Sequence, residues 1–163
     1  MLAKRPPKKI GQRDHKTARA ANERGLAAIQ KGIEKDDLDT AAQWFEKAVK
    51  ADSEDVEVLN NLAYTYLLQG KPAAADKLHD VLMLSPRRVN AWVNLGQYFA
   101  SQNNIDSAVG CFNLGLRLSS KRDKTIAFLR QLPEKFPSPS LNQAVQQTLQ
   151  QDWLKPKEDD LEK

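Results

Sequence analysis

Catalysis near neutral pH draws most readily on histidine and cysteine, and this chain holds two histidines and one cysteine. His15 lies in a basic stretch and His79 stands beside Asp80. Neither has a second histidine or a cysteine at metal-ligand spacing, so each reads as a solvated or satisfied side chain and not as a ligand. Cys111 precedes Phe112 within a helical pattern. It reads as a small buried or half-buried hydrophobe, not a nucleophile. A lone cysteine forms no internal disulfide, and it fits a reducing, cytoplasmic setting. The carboxylates Asp36, Asp37 and Asp39 lack the spacing of a calcium loop and suit the positive end of a helix instead. The chain contains no HExxH, no GxxxxGK[ST], no GxSxG and no CxxC. These residues imply no enzyme, no metal site and no cofactor.

Charge is the next candidate for function. The 163 residues carry a net charge of +4, unevenly spread. Residues 1–31 hold nine Lys/Arg against Asp14 and Glu23, a net of +7, and the remainder has 16 basic against 19 acidic residues, a net of −3. The basic character therefore belongs to an N-terminal arm, residues 1–13, continued into the first helix: Lys4, Arg5, Lys8, Lys9, Arg13, Lys16. Such an arm is either a solvated tail or a weak, salt-dependent contact for nucleic acid or anionic lipid. It has no aromatic residue on which a base could stack. The segment 154–163 reads as a charged tail, and no run of about 18 apolar residues offers a membrane span. Nothing marks an oligomeric state.

The elements that position side chains are helices. Apolar residues recur at three and four. Glycine and proline fall at punctuating places: Gly70-Lys71-Pro72, Ser85-Pro86, and Pro133, Pro137 and Pro139. The pattern predicts eight helices, near 15–34, 38–51, 55–69, 73–84, 88–102, 105–119, 122–132 and 139–153. Asp106 or Ser107 would cap the sixth and Ser140 the last.

These helices repeat. Leu59, Leu62, Ala63 and Tyr66 return 33 residues later as Trp92, Leu95, Gly96 and Phe99. Ala41, Phe45 and Ala48 return as Ala74, Leu78 and Val81, then 34 residues on as Ala108, Phe112 and Gly115. Small residues stand where two antiparallel helices must cross closely, and large ones fill the space around each crossing. A two-helix unit of this kind cannot bury its apolar face alone, so the units stack.

The spacing Trp92-x-x-Leu95-Gly96-x-x-Phe99 followed by Ala108-x-x-x-Phe112 resembles the tetratricopeptide repeat family. The resemblance covers about residues 18–120. Repeats fall near 18–54, 56–88 and 89–121. The first has an insertion around Ile33–Asp36, and the second lacks one residue near Lys71-Pro72. The resemblance implies an all-α, right-handed superhelix over residues 14–153, with residues 122–153 as a helical cap on the third repeat.

The same resemblance implies a working surface. In the family the first helix of each repeat lines a concave groove, mainly through its second, fifth, sixth, ninth and thirteenth positions. Carried over, these are Glu57, Asn60, Asn61, Tyr64 and Leu68 in the second repeat and Asn90, Val93, Asn94, Gln97 and Ser101 in the third. In the looser first repeat they are Arg19, Asn22, Glu23, Leu26 and Gln30. Asparagine can both donate to and accept from a peptide backbone, so stacked asparagines could hold an extended segment. They could equally solvate the helix or bond a neighbour. The cations that clamp a C-terminal carboxylate in chaperone-tail binders are absent at Asn22, Leu26, Asn90 and Asn94.

The expected function is a non-enzymatic adaptor or scaffold that binds another protein or peptide in that groove. A secretion-type chaperone of similar length is the nearest alternative, though such chaperones are acidic as a group. A binder of nucleic acid or anionic surfaces through the basic arm is the alternative from a different class.

Overall fold

A computed structural model of the chain describes residues 13–154. Lys4, Arg5, Lys8 and Lys9, and the charged stretch 155–163, lie outside the described residues. Within them, eight α-helices and a short 3-10 turn at Asp152–Leu154 supply the regular structure, and no strand occurs. The helices are α1 His15–Lys31, α2 Lys35–Ala51, α3 Val56–Leu68, α4 Ala73–Leu84, α5 Val89–Ser101, α6 Ile105–Leu118, α7 Arg122–Lys135 and α8 Pro139–Leu149.

Local chemistry sets their ends. Asp14, Asp55, Asn104 and Ser138 each lend a side-chain oxygen to first-turn backbone N–H groups, at α1, α3, α6 and α8. Two expected caps are thereby corrected. Asn104, not Asp106 or Ser107, caps α6, and its Oδ1 accepts from the Ser107 N–H at 3.1 Å. Ser138, not Ser140, caps α8, because Pro139 occupies the first helical position, where its missing N–H costs nothing. α3 is followed by Gly70, whose φ of +67° lets the Gly70 and Lys71 amides fold back onto the Leu67 and Tyr66 carbonyls, and Pro72 then stands at the cap position of α4.

The chain divides into two compact units at Lys71/Pro72, the turn where the sequence lacks one residue of its period. In the first unit, α1 and α2 form an antiparallel hairpin. The Asp14 amide donates to the Ala51 carbonyl at 3.0 Å, which ties the start of α1 to the end of α2. α3 packs on α2, and Ala28, Ala41, Phe45 and Leu62 make one core cluster while Ala21, Ala48 and Val58 make another.

In the second unit, α5 pairs with α6 and α4 packs on α5. α8 lies against both α5 and α6, and α7 against α6 and α8. One cluster joins Val93, Ala108, Phe112 and Leu116 to Leu129 and Leu132 of α7 and to Leu141, Ala144 and Val145 of α8. α7 accommodates Pro133 because the residue stands in its last turn, where few hydrogen bonds remain to be broken.

The repeat register is visible in the packing. All nine equivalent positions on α2, α4 and α6 (Ala41, Phe45 and Ala48; Ala74, Leu78 and Val81; Ala108, Phe112 and Gly115) are buried. A glycine in each unit admits the aromatic ring of the facing helix. A Cβ on Gly25 would lie 2.5 Å from the Phe45 ring, and a Cβ on Gly96 would lie 2.5 Å from the Phe112 ring. Of the large residues expected around the crossing of α5 and α6, Phe112 is fully buried, whereas Trp92, Leu95 and Phe99 are half-buried. Trp92 keeps its indole N–H at the surface side, donating to the Pro86 carbonyl at 2.8 Å.

Candidate functional site

The helix period puts the amide residues of α1, α3 and α5 on faces that are less open than the sequence implies. In the first unit Asn22 is 9% exposed and Asn60 is 8% exposed. Asn61 is half-buried, and its Nδ2 donates to Asn22 Oδ1 at 3.0 Å, joining α3 to α1 across 39 residues of chain. Tyr64, one turn further along α3, is half-buried, and burial pushes its phenol above its ordinary range. Leu68 is half-buried and Glu57 is exposed.

In the second unit Asn94 and Gln97 are both 7% exposed, and Gln97 Nε2 donates to Asn94 Oδ1 at 3.4 Å. Asn90 is exposed at the start of α5. Val93 departs from the expectation of a groove contact. At 2% exposure it belongs to the core with Phe112 and Leu116, since the small Gly115 on α6 draws the α5 backbone close and takes the valine into the interface. The groove set thus sorts by accessibility. Glu57 and Asn90 face solvent, Asn61, Tyr64 and Leu68 are partly open, and Asn22, Asn60, Asn94, Gln97 and Val93 are almost covered.

The basic residues divide too. Arg13 pairs with Glu54 and so is engaged within the first unit. Lys16 is exposed on α1. His15 is not solitary: its Nδ1 lies 2.7 Å from Asp52 Oδ2, and Asp52 is buried at the end of α2. Burial pushes the Cys111 thiol up to about 11, which leaves it protonated and poorly nucleophilic at neutral pH. Among the described residues no three His, Cys, Asp or Glu side chains converge closely enough to hold a metal ion, and no helix is long and apolar enough to cross a membrane.

Sequence reasoning missed one constellation. A cavity of about 490 Å3 opens between the start of α5 and the α6–α7 junction, with Arg87, Lys121, Lys124 and Phe128 among its walls. A signal was present in the sequence: the pair Arg87-Arg88 returns 34 residues later as Lys121-Arg122, at the same place in the repeat.

Comparison with known proteins agrees with this architecture. Residues 44–77 match one tetratricopeptide repeat model, beginning within α2, spanning α3 and ending within α4. Residues 89–122 match a second tetratricopeptide repeat model, which covers α5 and α6. A search of curated proteins gives no match. Both matched segments fall on helices whose buried small and aromatic residues recur in register, and the chain is a tetratricopeptide-repeat protein.

Proposed function

We propose that this protein is a non-enzymatic binding module that takes a segment of another protein and thereby helps assemble a multiprotein complex. Its repeats are of the kind that serves as a protein-interaction scaffold. The segment contacts the polar face of α3 in the first unit, through Asn61 and Tyr64, and the second unit offers a polar face of its own at Asn90 on α5. The observation that carries the reading is the state of those faces. They hold amides and a tyrosine, with Glu57 and Asn90 open to solvent and Tyr64 and Leu68 partly open. A half-buried tyrosine presents an apolar ring and a polar tip on one side chain, which suits a peptide contact. The paired amides beneath fix the direction of the remaining donors and acceptors.

The test begins with a partner captured by the parent protein and identified. Its affinity is then compared with that for a Glu57→Ala, Tyr64→Ala variant that melts like the parent. Losing one hydrogen bond and one aromatic contact should weaken binding about ten-fold or more. Equal affinity would remove α3 from the contact surface and move the search to the outward faces of α2 and α6.

A further inference from the structure

The cavity in the second unit has a chemical character that the amide faces lack. It lies where two helices begin. Val89 and Asn90 come from the first turn of α5, and Lys121, Lys124 and Thr125 come from the start of α7. Neither helix is capped by a side chain: Arg88 and Lys121 stand at the cap positions and make no side-chain hydrogen bond to the first turn. Helix starts carry N–H groups without intrahelical partners and the positive end of the helix dipole. Three cations, Arg87, Lys121 and Lys124, stand on the same walls.

No lining residue is acidic. Asp123, in the first turn of α7, is exposed and lies outside the lining. Among the described residues no salt bridge engages Arg87, Lys121 or Lys124. By contrast Arg122 turns away, with its Nε 3.4 Å from the Leu116 carbonyl and its guanidinium over the Trp153 ring. The junction is a built one. Ser119 Oγ lies 2.8 Å from Thr125 Oγ1 and accepts from the Lys121 N–H at 3.2 Å, which holds the turn into α7 in place.

The rest of the wall is part polar, through Asn90, Ser119, Ser120 and Thr125, and part apolar. Val89, Val93, Leu118 and Phe128 make the apolar part, and Phe128 is 42% exposed although it is a large hydrophobe. Cations mixed with an apolar floor match carboxylates interleaved with an apolar side chain. A nucleic acid would need a longer basic track and several stacking faces in succession. The volume of about 490 Å3 is the size of a site for a few side chains.

We propose that this cavity is the docking site for an acidic segment of a partner protein, its carboxylates held by Arg87, Lys121 and Lys124 and an apolar residue seated against Leu118 and Phe128. The proposal rests on the protein-binding reading above and adds the charge of the segment and the place where it is anchored.

The probe is a short fluorescent peptide of aspartates and glutamates flanking a leucine and a phenylalanine, titrated with the full chain and followed by anisotropy. Its counterpart has asparagine and glutamine in place of every acid. The acidic peptide should bind, lose affinity steeply as salt rises, and outcompete the amide peptide. Lys121→Glu with Lys124→Glu should weaken it about ten-fold or more. Lys35→Glu with Lys50→Glu, an equal change of charge on exposed sites of α2, should leave it near the parent value. Phe128→Ser should weaken the acidic peptide and leave its salt dependence unchanged. Lys121 and Lys124 are exposed, so the variants should melt like the parent, which the same samples can verify.

Failure of the acidic peptide to bind, or equal loss in the two charge-reversal variants, would overturn the proposal. So would a single-stranded oligonucleotide that binds more tightly and with the same dependence on Lys121 and Lys124. Binding that emerges only after residues 155–163 are removed would assign the cavity to the chain's own acidic tail instead. None of these outcomes bears on the Glu57→Ala, Tyr64→Ala comparison, so the cavity and the broader binding reading can fail separately.

Discussion

Asn61 donates its side-chain amide to Asn22 Oδ1 at 3.0 Å, so two residues expected to face a ligand are bonded to each other across α3 and α1. The arrangement gives these asparagines a structural duty. Asn22 is nearly covered, and a covered amide oxygen without a partner is costly, so the pair holds α1 against α3 as well as shaping the surface above it. Gln97 and Asn94 make a similar, longer contact along α5.

A thermodynamic cycle tests that duty. Asn61→Ala leaves Asn22 Oδ1 without this donor and should cost about 0.5–1.5 kcal/mol of stability. Asn22→Ala together with Asn61→Ala should cost less than the sum of the two single changes, because the second change removes a group the first had stranded. Denaturant melts of the four proteins give the coupling. Strict additivity would mean that the bond contributes nothing in solution.

Gly96→Ala should destabilise the protein, although alanine is the better helix former by about 1 kcal/mol. The new methyl would stand 2.5 Å from the Phe112 ring, which has no exposed surface to retreat into. Overpacking of this kind costs about 1–3 kcal/mol. Gly110→Ala on α6 is the control, since a Cβ there meets nothing within 4 Å and should stabilise modestly. A Gly96→Ala protein that melts at or above the parent temperature would show that the ring moves aside freely.

The register of the fold was readable from residue size alone. Ala41, Ala74 and Ala108 are small at a fixed spacing because helices cross there, and all three are fully buried. Helix existence followed from periodicity, but two caps did not. Whether Asn104 or Asp106 closes α6 depends on which backbone leaves the helical region, and both have a side chain able to cap. The site was less legible. Periodicity assigns a residue to a face, but it cannot say that Asn61 will meet Asn22 from 39 positions away, or that Gly115 leaves room for Val93 to sink into the core. The cavity escaped notice for the same reason. Arg87 and Lys121 lie in two different turns, α4–α5 and α6–α7, and the repeated basic position acquires meaning only when the packing sets both on one opening.

Cys111 should be nearly inert towards alkylation in the native protein. Burial raises its thiol from 9.0 to about 11, so the thiolate fraction at pH 8 is about a hundredth of that of an exposed cysteine. Iodoacetamide should label it at a comparable rate only after denaturation. The same shift makes stability depend on pH. The native state holds its proton more tightly than the unfolded chain does, so this stabilisation is intact below about pH 9 and is lost as pH rises towards 11. Tyr64 and Tyr66 are shifted in the same direction and add to the loss at higher pH. The cysteine part is therefore read as the difference between the parent and Cys111→Ala across that window. Parallel curves for the two proteins would place the thiol in contact with solvent.

Removal of α8 should damage the second unit more than its length suggests. α8 lies against α5 and α6 together, and its Leu141, Ala144 and Val145 complete the cluster that holds Phe112 and Leu116. A chain ending after Phe136 would leave that apolar surface open, and an uncovered patch on a helical repeat invites association. The truncated protein should melt at a lower temperature and elute from a sizing column as larger species. Truncation can also fail through simple misfolding, so a point change on the neighbouring helix provides a second reading. Leu132 on α7 is 1% exposed within the same cluster, and Leu132→Ala should cost about 2–5 kcal/mol while leaving α8 in the chain. If α7 and α8 are part of the core of this unit, both proteins lose stability, and the second stays monomeric because its surface is still covered. A truncated chain that is monomeric and as stable as the parent would mean that α8 is an appended arm and that α5 and α6 are complete without it.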